Sequence, residues 1–235
     1  MRKVLFPTAK CCCYFKPNRS SLINLKNSYS TSNSRLKNYC WKCGVERSNA
    51  NMFCEKCNII QNPQERTNYF KLFGIEQVFN IDQKILKDKF RNFQSQIHPD
   101  KFSNSSEKEQ IISEEYSSLV NKAYHKLMSP MQRAEHLLEL NGENISDNQT
   151  VDEPTFLMNI MNLNEEVEST MHDMEKLKQL EQKNKTEIEV LTKEIDKHFQ
   201  NRDIEAAKKS IIKLKYFSSI SDRINSILRE AGISD

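Results

Sequence analysis

Two constellations in this 235-residue chain have residue types and spacings suited to chemistry. The first is Cys40, Cys43, Cys54 and Cys57, a C-x2-C-x10-C-x2-C pattern. Two residues between cysteines let both thiolates point at one ion from a tight knuckle. A ten-residue spacer returns a second knuckle to close a tetrahedron, the geometry that Zn²⁺ favours. Gly44, directly after the first knuckle, supplies the backbone freedom such a turn needs. Four thiolates leave no open coordination position, so the metal would be structural. Two structural disulfides, a redox C-x-x-C pair and an iron site of the same spacing are the competing readings. The second constellation is His98-Pro99-Asp100. Pro99 disfavours helix on its N-side and stiffens the backbone, so the imidazole and the carboxylate project from a turn.

The elements around these groups are helical. The chain is 37% hydrophobic and 29% charged with only 4 Gly, a composition poor in the tight turns that sheets require. Asp82 caps a segment with Ile85, Leu86, Phe90, Phe93 and Ile97 on one stripe, while Lys84, Lys87, Lys89 and Arg91 fall largely off it. Ser106-x-x-Glu109 reads as a capping box ahead of Ile112, Tyr116, Leu119, Ala123 and Leu127. Pro130 and Pro154 each stand at a helix start. Residues 155–231 contain no Gly or Pro, with a polar break at Asn201-Arg202-Asp203. Their apolar periodicity predicts three helices folded back into an antiparallel bundle, with an extended coiled coil as the alternative. The fold class expected is therefore mostly α: a small four-cysteine zinc-knuckle domain, a helical middle domain and a C-terminal antiparallel three-helix bundle. His125, His136, His172 and His198 read as surface or helix-partner residues without a ligand role.

Charge is uneven. Residues 1–39 carry eight Lys or Arg and no acid, leaving 27 basic against 32 acidic residues in the rest, a balance of −5. No basic stripe for nucleic acid survives outside the leader, and no apolar run is long enough to span a membrane. The basic, Ser-rich, acid-free start has the composition of a mitochondrial transit peptide, with a disordered basic tail as the alternative.

Residues Tyr69 to Leu140 resemble the J-domain of DnaJ-class co-chaperones. The matching features are Tyr69-Phe70-x-Leu72-Phe73-Gly74, the basic helix, His98-Pro99-Asp100-Lys101-Phe102, and Asn121-Lys122-Ala123-Tyr124. Met131-x-Arg133-Ala134-Glu135-x-Leu137-Leu138, Thr155-Phe156-Leu157-Met158 and Lys213-Leu214-Lys215-Tyr216 narrow the resemblance to the HscB family of iron–sulfur co-chaperones. The cysteine quartet is similar to the zinc-binding extension of some eukaryotic members. The organisation expected is a transit peptide over 1–38, a four-cysteine metal-binding domain over 39–60 and a linker over 61–67. A J-domain over 68–142, a linker over 143–152 and a client-binding bundle over 153–235 complete it.

The resemblance implies a co-chaperone with no catalytic residue of its own. His98, Pro99 and Asp100, with Lys87, Lys89 and Arg91, would engage an Hsp70-type chaperone and stimulate its ATPase. Leu157, Met158, Met161 and Tyr216 would hold the iron–sulfur scaffold protein, with Tyr216 chosen over its neighbour Phe217. Structural Zn²⁺ is the implied cofactor. The mitochondrial matrix is the implied compartment, with room for a cytosolic pool and for a homodimer. A general J-protein with other clients is the broader alternative.

Overall fold

The computed structural model describes residues 39–47, 51–146 and 149–232; the basic leader lies outside them. Among the described residues there are seven α-helices: α1 (Tyr69–Phe73), α2 (Gln83–Ile97), α3 (Glu107–Met128), α4 (Pro130–Leu140), α5 (Pro154–Ser169), α6 (Met174–Gln200) and α7 (Ile204–Glu230). A single 3-10 turn, Pro99–Phe102, links α2 to α3. The only extended pairing among those residues is a pair of isolated bridges, Tyr39 with Glu46 and Phe53 with Ile60. The mostly helical fold class stands, and no described helix is long and apolar enough to cross a membrane.

Local chemistry sets the helix ends. The Asn68 side chain accepts from the Lys71 N–H and opens α1, and Gly74 closes it at φ 58, a left-handed conformation that glycine adopts without strain. The Asp82 carboxylate accepts from the N–H groups of Lys84 and Ile85. At α3 the Glu109 carboxylate accepts from both the backbone N–H and the hydroxyl of Ser106. Pro130 and Pro154 occupy the first turns of α4 and α5, where no N–H is needed. Asp173 and Asp203 cap α6 and α7 through the N–H groups of Lys176 and Ala206.

The stripes then choose partners. α2 and α3 pair along their length, α1 lies against both, and α4 packs on α3 and α7. α6 and α7 form the long spine of the bundle, and α5 packs on α7. Two apolar cores result. One runs from Ile60 through Phe70, Phe73, Leu86, Ile97, Tyr116 and Leu137 to Leu191, Ile195, Ile211 and Leu214. It therefore joins the helices of residues 69–140 to the near end of the bundle. The other fills the far end with Ile160, Val167, Leu177, Leu180, Ile220, Ile224 and Leu228.

Two contacts rivet the joint between the middle helices and the bundle, and a buried cation backs the first. The Phe79 ring stacks on Phe199 of α6 at 6.1 Å. The buried Arg133 guanidinium lies 5.0 Å from the centre of the same Phe79 ring and donates to the Leu127 carbonyl at 2.6 Å. Burial pushes the Arg133 guanidinium down from its ordinary value, and the carboxylate of Asp196 on α6 pulls it back up. Lys208 on α7 also pairs with Glu143 at 2.8 Å.

Candidate functional site

The four-cysteine centre is built from two knuckles of the same shape. In the first, the Cys40 N–H donates to the Val45 carbonyl and the Gly44 N–H to the Cys40 carbonyl, both at 2.9 Å. In the second, the Cys54 N–H donates to the Ile59 carbonyl at 2.9 Å and the Asn58 N–H to the Cys54 carbonyl at 2.8 Å. Gly44 has φ 68, and its counterpart Asn58 has φ 50. Asn is among the few side chains that tolerate this region. The equivalence of Asn58 to Gly44 is hidden in the sequence because Asn58 opens a polar stretch that reads as connecting chain.

All four sulfurs lie within 4.8 Å of one another. Cys40 Sγ stands 3.6 Å from Cys57 Sγ, and Cys43 Sγ 3.7 Å from Cys54 Sγ. Four sulfurs about 2.3 Å from a central zinc would sit about 3.8 Å apart along the tetrahedron's edges. A disulfide needs about 2.05 Å. The geometry thus suits a closed four-sulfur metal cage. Electrostatics supports charged sulfurs at two positions. Burial alone would push the Cys40 thiol up, but the N–H groups of Cys43 and Lys42 point at its sulfur, and it falls to about 6. The Cys57 N–H lowers Cys54, whereas burial drives Cys57 up. A cation at the centre would offset the cost of gathering such charge.

The knuckles are not free of the rest of the molecule. Trp41 Nε1 donates to the Ile60 carbonyl at 2.7 Å, and the Lys108 ammonium of α3 lies 4.4 Å over the Trp41 ring. The Gln61 amide donates to Cys40 Sγ at 3.3 Å. Arg66 pairs with Glu115 of α3 at 3.3 Å. Residues 61–67, read from sequence as a linker, are therefore docked on α3, with Gln61 and Pro63 buried.

The His98-Pro99-Asp100 bend is anchored on both flanks and open in the middle. Ile97 and Phe102 are buried. The Ser113 hydroxyl donates to the Ile97 carbonyl at 2.7 Å, and Lys101 Nζ bonds the Ser95 carbonyl. Between these anchors the His98 and Asp100 side chains are 51% and 89% exposed. His98 Nδ1 accepts from the Asp100 N–H at 3.3 Å. The Asp100 carboxylate lies 3.4 Å from the same Nδ1. The bend therefore offers an imidazole and a carboxylate outward on a fixed backbone. The Asn121-Lys122-Ala123-Tyr124 segment supports it from α3: Tyr124 stacks on Phe90 at 4.1 Å, and Gln94 Nε2 donates to Asn121 Oδ1 at 2.8 Å.

On α2, Lys84, Lys87 and Arg91 recur at helical spacing and are exposed. Lys89 points elsewhere. Its ammonium donates to the Gly74 carbonyl at 3.2 Å, closing the end of α1. The periodicity of α2 shows that Lys89 is off the stripe but not what it meets.

On α5, Met158 and Met161 are 65% and 63% exposed, and Leu157 is half-buried. Tyr216 is half-buried and meets the Phe156 ring edge-on at 5.8 Å. Phe217 meets the same ring at 6.0 Å. The pair of methionines one turn apart thus presents an apolar surface on α5.

His136 is the residue that sequence reasoning places most loosely. It is 3% exposed, sandwiched near Tyr69 at 4.5 Å and Phe70 at 5.8 Å. Its Nε2 accepts from the Tyr69 N–H at 3.2 Å, and its Nδ1 faces the Glu139 carboxylate at 3.0 Å. It is a helix partner that joins α4 to the start of α1. Its position next to Leu137-Leu138 on a buried stripe is the available signal.

Comparison with known proteins agrees along most of the chain. Residues 152–225 match the family model of the HSCB C-terminal oligomerisation domain. The iron–sulfur cluster co-chaperone protein HscB of Homo sapiens is 32% identical over 194 residues, covering 79% of this chain and 80% of the relative. The HscB homologue of Arabidopsis thaliana is 31% identical over 185 residues, covering 79% and 72%. The crystal structure of human co-chaperone HscB superposes with a TM-score of 0.78 at 31% identity, covering 83% of this chain and all of that one. The chaperone HscB of Vibrio cholerae superposes with a TM-score of 0.64 at 29% identity, covering 71% and 99%.

Proposed function

Because this chain belongs to the HscB family of iron–sulfur cluster co-chaperones, we propose that it presents an iron–sulfur scaffold protein to an Hsp70-type chaperone and triggers that chaperone's ATP hydrolysis. The observation that carries this reading is the exposed His98-Pro99-Asp100 bend held between buried Ile97 and Phe102. A backbone already in its binding shape lowers the ordering cost of association. The His98 imidazole and the Asp100 carboxylate then meet polar and cationic groups of the ATPase. The hydrolytic groups belong to that partner. Lys84, Lys87 and Arg91 form a positive face that steers an acidic surface, an effect felt mainly in the association rate. Lys89 has a share in the fold of α1 in place of a share in that face.

The second half of the reading uses Leu157, Met158, Met161 and Tyr216. Flexible, polarisable methionine side chains on an open helix face suit a client whose surface changes as its cluster matures. The Cys40, Cys43, Cys54 and Cys57 cage holds one structural zinc and keeps residues 39–60 seated on α3. The acid-free leader directs the chain to the mitochondrial matrix.

ATP turnover by an Hsp70-type chaperone, measured with and without scaffold protein, tests the proposal. His98→Gln is expected to abolish the stimulation while leaving the melting temperature unchanged, since the ring makes no buried contact. Leu157→Ala/Met158→Ala/Tyr216→Ala is expected to keep basal stimulation and lose the extra rise caused by scaffold. Full stimulation by His98→Gln, or unchanged scaffold affinity in the triple variant, would overturn the corresponding half.

A further inference from the structure

α5 and α6 both pack on α7 but barely on each other. Between them a cleft of about 520 Å³ opens, floored by Leu163 and Phe217 and edged by the exposed Val190. It lies on the face of α5 that carries Phe156, Asn159, Leu163 and Glu166, and neither Met158 nor Met161 lines it. One wall residue is unusual. Asn184, in the middle of α6, is 2% exposed. Its Nδ2 donates to the Phe217 carbonyl at 3.0 Å, while its Oδ1 has no hydrogen-bond partner. Turning the amide over would set two acceptors against each other at that same distance, so the orphan group is the carbonyl. A buried polar atom without a partner costs about 1–3 kcal/mol. A leucine would fit the same volume without that cost.

The rim is acidic. Glu166, Glu187 and Glu194 line the cleft, and among the described residues none of them is held in an ion pair. Of the two lysines there, Lys213 is engaged by Glu153 at 2.8 Å, leaving Lys183. An apolar floor, an anionic rim and a wanting acceptor in the wall specify an occupant: apolar side chains on one face, Lys or Arg flanking them, and an N–H to spare. We infer that the α5–α6 cleft is a docking site for a basic amphipathic segment of a partner protein, independent of the surface assigned above to the scaffold. Such a segment would place its apolar face over Leu163 and Phe217, its cations on the three glutamates, and a donor on Asn184 Oδ1.

A fluorescein-labelled 14-residue peptide of Leu and Lys at helical spacing serves as the probe, titrated with the full chain and read by fluorescence anisotropy. Saturable binding is expected, weakened at least tenfold by Glu187→Lys/Glu194→Lys. Glu175→Lys/Glu189→Lys, which reverses two α6 charges away from the cleft, is expected to leave it within twofold. Asn184→Leu is expected to weaken binding severalfold while holding or raising the melting temperature. Met158→Ala/Met161→Ala is expected to leave affinity unchanged. Absence of binding, equal loss from the two charge-reversal pairs, or loss through the methionine variant would overturn the inference.

Discussion

Phe79 offers the sharpest test of how this molecule holds together. Its ring is buried, carries the Arg133 guanidinium and meets Phe199 of α6. Phe79→Ala would remove a fully packed ring and leave a buried cation facing a void. Truncations of this kind cost about 3–5 kcal/mol in well-packed cores. The lost cation–ring contact, about 0.5–2 kcal/mol, is part of that sum. A chain of this size shifts its melting point by about 2–4 °C per kcal/mol, so a fall of about 6–20 °C is expected. The informative part is where the loss appears. Because one core runs from Phe73 and Leu86 to Ile195 and Leu214, α2 and the start of α7 should weaken together. Calorimetry should show one transition for both in the unsubstituted chain. Hydrogen exchange in Phe79→Ala should accelerate in residues 83–97 and 204–214 alike. Two separated transitions, or acceleration confined to residues 83–97, would refute the shared core.

Two further outcomes follow from the geometry. Trp41 is the chain's only tryptophan, and its indole is tied to Ile60 beneath Lys108; a strong chelator is expected to red-shift its emission and one equivalent of zinc to restore it, and an emission spectrum indifferent to chelation would remove the metal from the account. Burial lowers the His136 pKa, while Glu139 pulls it up and Lys126 pushes it down; the folded chain thus resists a proton that the unfolded chain accepts from about pH 6.5 downward, so stability should fall on acidification below that point. His136→Gln should flatten this part of the melting temperature against pH, and a parallel curve would show that another group is responsible.

The features legible in the sequence are those decided by neighbours along the chain. Asp82, Ser106, Pro130 and Pro154 mark helix starts through local hydrogen bonding and ring geometry, and each does so here. The cysteine quartet and the exposed bend belong to the same class. What periodicity cannot supply is the partner of a face. Nothing in the spacing of Arg133 distinguishes a surface cation from one laid on Phe79, far earlier in the chain. The amphipathic rule places Lys89 off the stripe yet is silent on its bond to Gly74. The α5–α6 turn leaves no punctuation in the sequence because it contains no Gly or Pro. Thr170 closes α5 with its hydroxyl on the Glu166 carbonyl at 2.7 Å, and Asp173 opens α6 three residues later. Residues 61–67 look like connecting chain because docking through the single Arg66–Glu115 pair leaves no periodic trace.

The left-handed turns of the two knuckles differ in what they can tolerate. A Cβ placed on Gly44 would meet nothing within 4 Å, so crowding does not defend that position. Its defence is the torsion itself, which side chains other than Asn and Asp adopt only under strain. Asn58 at φ 50 could become glycine with little distortion. Mutational drift at these twin corners is therefore confined to a two- or three-letter alphabet, although nothing crowds the first of them.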